Sequence, residues 1–74
     1  MKTPVLKSNQ VVKKLKRAGF CKYHQKGSHL VMKHESDKRM CVVPIHQGKD
    51  IPRPTLKNII AKQAKLSIKE FINL

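Results

Sequence analysis

Phe20 to Ile45 reads FCKYHQKGSHLVMKHESDKRMCVVPI, and the placing of its turns decides the fold. Phe20 to Gln25 carries Phe20, Cys21 and Tyr23 and predicts a strand. Lys26-Gly27-Ser28 supplies a turn, because Gly27 can take a positive φ at no steric cost. His29 to His34, with Leu30, Val31 and Met32 inside it, predicts a second strand. Glu35 to Arg39 is a polar turn, and Met40 to Ile45 is a third, strongly apolar strand. Pro44 cannot donate to a ladder, so that end of the third strand belongs on an edge or at a break in pairing.

Working outward, Ser8 is placed to N-cap a helix that runs to about Ala18 and stops at Gly19. Val11, Val12, Leu15 and Ala18 share one face of it, and Lys13, Lys14, Lys16 and Arg17 take the other sides. After a loop over His46 to Arg53, Pro54 suits the first turn of another helix, whose inner face is Leu56, Ile59, Ile60 and Gln63 with Ala64 beside it. Ser67-Ile68-Lys69-Glu70 has capping-box spacing and opens a short terminal helix, in which Ile68, Phe71, Ile72 and Leu74 can pack back. The expected class is α+β. Its order is α-β-β-β-α plus a short C-terminal helix, with helices on one face of a three-stranded antiparallel sheet, like a double-stranded-RNA-binding domain. Residues 1–74 are expected to form one domain with a thin core.

Charge is the outlier of the composition. Seventeen Lys and Arg against four Asp and Glu give a formal net charge of +13, the electrostatic footprint of a nucleic-acid binder. The lysines spread over every predicted element, which argues against a single amphipathic membrane-surface helix. No run approaches the ~18 apolar residues of a membrane span. Residues 1–7 lack the apolar core of a secretory signal, so the expected compartment is the cytoplasm, with Cys21 and Cys41 as free thiols.

Among side chains able to do chemistry, His29 stands out. It follows the Gly-Ser turn and begins a strand, so its backbone is held while its side chain can reach the turn's mouth. RNA cleavage without a metal needs a base for the ribose 2′-hydroxyl, an acid for the leaving 5′-oxygen, and positive charge on the phosphorane. An imidazole gains and loses protons near neutral pH and suits either proton role. Lys26, Lys33 and Arg39 could supply charge, Gly27 lets a phosphate backbone come close, and Ser28 could donate a hydrogen bond. His46 is the second candidate proton carrier, although one histidine after a Gly-Ser turn, or one in a loop, is common in proteins without such a role. His24 and His34 lie in strands and read as orientational or solvent-facing.

Other chemistries fit less well. Cys21, His24, His34 and Cys41 could ligate zinc, but their spacing matches no tight knuckle, and on a straight strand Cys21 and His24 point to opposite faces. Glu35, Asp37, Asp50 and Glu70 are the only acids and sit in turns or at a helix start, which disfavours carboxylate catalysis. No P-loop or dinucleotide fingerprint is present. Neither a metal nor a cofactor is expected.

Leu15 to Phe20, Lys26 to His29, Val42 to His46, Thr55 to Ile60 and the ending Ser67 to Phe71 together resemble the HicA-type toxins of toxin–antitoxin pairs, also described as YcfA-like proteins. The likeness runs in order over nearly the whole chain. It implies a compact double-stranded-RNA-binding-domain-like fold, ribosome-independent cleavage of mRNA that inhibits translation, and a HicB-type antitoxin that blocks the site. It implies a catalytic role for His29 and matches the Pro-x-His stretch at His46. From charge and turn chemistry, the residues expected to contact RNA are Lys26, Gly27, Ser28, Lys33, Arg39 and Lys57. The chain departs from the family pattern where Glu35 follows His34, where Pro54 precedes Thr55, and where Leu30 follows His29. Lys65 replaces the glycine that often ends the penultimate helix, so that helix is expected to run on or fray.

The leading expectation is therefore a metal-independent endoribonuclease toxin acting on mRNA and neutralised by an antitoxin. A non-catalytic double-stranded-RNA-binding module is the alternative. A binder of an acidic protein that has lost cleavage is the third reading.

Overall fold

The computed structural model describes residues 3–46 and 48–74. Helix α1 spans Ser8–Arg17, strands β1, β2 and β3 span Phe20–Lys26, His29–His34 and Met40–Pro44, helix α2 spans Arg53–Asn58 and continues as a π-helical turn Ile59–Gln63, and α3 spans Ile68–Ile72. The sheet is an antiparallel meander in the order β1-β2-β3. This is the expected α-β-β-β-α arrangement with a short C-terminal helix.

Alternation along the strands sorts the side chains by face. Phe20, Leu30, Met32, Cys41 and Val43 turn inward and are all buried. They meet Val11, Val12 and Leu15 of α1, Leu56, Ile59, Ile60 and Ala64 of the second helical segment, and Phe71 of α3. All the helices therefore lie on one side of the sheet, and the other side is open. Burial of the Cys41 thiol pushes its pKa up to about 11, which makes it an inert core side chain.

Local signals set the boundaries. Lys7, rather than Ser8, is the N-cap of α1: its backbone N–H donates to Gln10 Oε1 at 2.9 Å, and Ser8 is drawn into the first turn and buried. Gly19 ends the helix at φ +100°. The β1–β2 hairpin closes on two residues, Gly27 and Ser28, with Lys26 paired to His29 and Gly27 at φ +58° in the first turn position. Lys26 thus ends β1 instead of opening the turn. Ile45 lies beyond β3, although its N–H still donates to Ser28 O at 2.6 Å. Pro54 sits in the first turn of α2, as its fixed φ favours.

The capping box at the last helix forms as its spacing predicts: Glu70 N–H donates to Ser67 Oγ and Ser67 N–H to Glu70 Oε1, each at 3.0 Å. The hydrogen bond from the Ser67 backbone, then the one with its side chain, holds the Glu70 carboxyl below its ordinary pKa. Phe71 is buried, but Ile72 is exposed. The end of α3 is held instead by cations of α1: Lys14 Nζ donates to the Ile72 and Leu74 carbonyls and Arg17 Nη1 to Leu74 O.

Candidate active site

His29 opens the central strand and is paired on both sides, to Lys26 of β1 and Pro44 of β3. Two ladders fix its backbone, and its side chain is exposed on the open face. Gln25 Nε2 donates to Gly27 O at 3.3 Å and steadies the turn beside it. A side chain at Gly27 would meet nothing within 4 Å, so the mouth of the turn is open space.

A depression of about 560 Å³ runs from this point along the β3 edge. His29, Val42 and Pro44 line it from the sheet, His46, Lys49, Asp50, Ile51 and Pro52 from the loop, and Thr55 and Gln63 from the second helical segment. The far wall is tied to the sheet edge because Val42 N–H, free on the outer side of β3, donates to Gln63 Oε1 at 2.7 Å. Asp50 shares its charge with Lys7, 3.7 Å away at the surface. The depression thus joins two imidazoles, a lysine and a threonine hydroxyl in a chain of net charge +13. That combination suits proton transfer on an anionic substrate.

A family model described as HicA toxin of bacterial toxin-antitoxin matches residues 8–66. The chain belongs to the HicA toxin family. No curated protein matches it closely. HicA toxins are mRNA interferases neutralised by HicB, and membership implies an antitoxin partner. Among the described residues no helix is long and apolar enough to cross a membrane.

Within this HicA chain, His29 and His46 line one depression. Lys26 is the cross-strand partner of His29, and Gly27 and Ser28 are the exposed turn between them. Lys33 lies on the same open face, further along β2. Lys57 lines a neighbouring groove with Pro54, Thr55 and Asn58, and Thr55 is common to both hollows. Arg39 is occupied elsewhere. Its Nε donates to both Asp37 carboxylate oxygens at 3.1 and 2.9 Å, its Nη1 to Ala64 O at 2.7 Å, and its guanidinium lies 5.4 Å from the centre of the Phe20 ring. This clamp joins the β2–β3 turn to the end of the second helical segment, and the arginine hydrogen bonds hold Asp37 below its ordinary pKa.

His34 is an internal strut. Ser36 N–H donates to its Nδ1 at 3.1 Å, which leaves Nε2 to donate to Ala18 O at 3.0 Å. Asp37 lies 3.5 Å from Nδ1, but its oxygens already serve Arg39. Cys21 and Cys41 are free thiols on opposite faces, Cys21 exposed and Cys41 buried. Among the described residues no three His, Cys, Asp or Glu side chains converge as a metal cluster would require. Lys49, Thr55 and Gln63 were not among the site residues expected from sequence. They reach the depression through the loop and helix packing, which no local spacing encodes.

Proposed function

We propose that this chain is an endoribonuclease that cleaves single-stranded mRNA in the cytoplasm through His29, with no metal, and that a HicB-type antitoxin silences it by covering the depression. The observation that carries the reading is that His29 and His46 line one depression in a strongly basic chain. One imidazole takes the proton from the ribose 2′-hydroxyl, and that oxygen attacks the adjacent phosphorus. The bond from phosphorus to the 5′-oxygen breaks, and the other imidazole supplies the proton that the leaving oxygen needs. Lys26 and Lys49 offer charge to the phosphorane, Ser28 offers a donor, and Lys33 and Lys57 bind phosphates to either side. Arg39 acts at a distance by holding the β2–β3 turn in place.

The double-stranded-RNA-binding alternative wants a cluster of lysines at a helix N-terminus. Around the start of α2 the sequence offers Arg53 and Lys57, separated by Pro54, Thr55 and Leu56.

The test is cleavage of single-stranded mRNA by the purified chain in excess chelator, with the product ends identified. Undiminished cleavage leaving 2′,3′-cyclic phosphate and 5′-hydroxyl ends is expected. Loss of cleavage on chelation, or 5′-phosphate ends, contradicts the mechanism.

A further inference from the structure

The pairing of β1 with β2 shifts register between Lys22 and His24. This bulge places one extra residue, Tyr23, outside the ladder and changes the phase of the strand. Cys21 pairs with Lys33 and His24 with Val31, so Cys21 and His24 share the open face instead of pointing to opposite faces. That face carries three cross-strand rows: Cys21-Lys33-Met40, His24-Val31-Val42 and Lys26-His29-Pro44. The first of these reaches to the Tyr23 side, where Lys33 Nζ lies 5.4 Å from the centre of the tyrosine ring.

Two properties identify what such a face would hold. It is partly apolar and uncovered: Tyr23 is 64% exposed, Met40 43% and Val42 40%. Its ends are cationic, at Lys33 and Lys26, and no acid occupies any of the three rows. A second copy of the chain would set +13 against +13. An aromatic and aliphatic floor edged by cations matches a strand of unpaired nucleotides, whose bases stack and whose phosphates are anionic. A duplex keeps its base faces stacked inside and offers nothing to that floor.

We propose that the open face of the sheet is a track for single-stranded RNA that leads to His29, and that the Tyr23 ring, with Lys33 beside it, stacks a base flanking the scissile bond. The track rests on the ribonuclease reading and extends it to a substrate-binding surface. It explains why a bulge, which costs ladder hydrogen bonds, sits where it brings His24 to the side that carries Tyr23 and His29.

Tyr23 is the chain's one tyrosine, so its ring resonances can be followed without ambiguity. The experiment titrates the full chain carrying His29→Ala with a single-stranded oligouridylate, and separately with an RNA duplex, while the ring signals are recorded. The single strand is expected to shift them to saturation and the duplex to leave them in place. In the otherwise unaltered chain, Tyr23→Ala is expected to raise KM for the oligonucleotide about tenfold, in keeping with loss of one base stack, and Tyr23→Phe to restore it. Ring signals that stay put while RNA binds, or a Tyr23→Ala variant that loses affinity only for the antitoxin, overturn the track. Should the unaltered chain fail to cleave, the ribonuclease reading falls, while the ring titration still decides whether RNA lies on this face.

Discussion

At the scale of single residues, Gly19 and His34 show how closely the frame of the site is specified. Gly19 stands at φ +100°, and a Cβ built on it falls 2.7 Å from His34 Nε2, the atom that donates to Ala18 O. Its ring in turn meets Phe20 edge-on, with centroids 5.0 Å apart. Gly19→Ala therefore adds left-handed backbone strain and displaces the histidine hydrogen bond, a combined loss of about 2–3 kcal/mol. Urea denaturation should show the midpoint falling accordingly, and a midpoint unchanged from the parent would refute the strut. The sequence legibly placed Gly19 as a helix stop and His29 at the mouth of a turn, because both follow from local glycine chemistry. It could not place His24, whose face depends on a bulge set by pairing with β2. Nor could it show that Arg39 reaches Ala64 and Phe20, because those contacts join residues far apart in the chain.

At the scale of elements, the strands and the capping box were readable because each is bounded by strong local signals. The second helical segment was not. Its apolar face is as expected, but Ile59–Gln63 is π-helical, with Ala64 N–H donating to Ile59 O at 2.8 Å. The wider turn accompanies burial of Ile59, Ile60 and Ala64 together and lets Gln63 reach the β3 edge, where it caps Val42. Nor does the helix run on: Lys65 itself takes the left-handed conformation, φ +57°, and Leu66 N–H closes back on Ile60 O at 2.9 Å. A side chain in that conformation costs roughly 1–2 kcal/mol, which glycine avoids. Lys65→Gly is expected to stabilise the fold by about 1 kcal/mol and raise Tm by roughly 4–8 °C. A fall in Tm would show that the Lys65 side chain contributes more than its backbone costs.

At the scale of the whole molecule, one sheet serves two purposes. Its inner face closes a thin core of short helices, and its outer face stays open beside the depression that His29 and His46 line. The radius of gyration, 11.1 Å, is that of a tightly folded chain of this length. The net charge of +13 gives this small body a field that attracts polyanions. The order of strands made the fold legible, because each turn carries a strong local signal. What sequence alone withheld was the third dimension of the site: that the loop after β3 folds His46 and Lys49 back toward His29, with Thr55 and Gln63 closing the far wall. The account's central claim is that His29 carries a proton of the cleavage reaction, and its most direct test is the activity of His29→Ala on single-stranded mRNA. Because His29 is exposed, the variant should keep the parent's thermal unfolding and antitoxin binding while its cleavage disappears. A folded variant that cuts at the parental rate would contradict the claim.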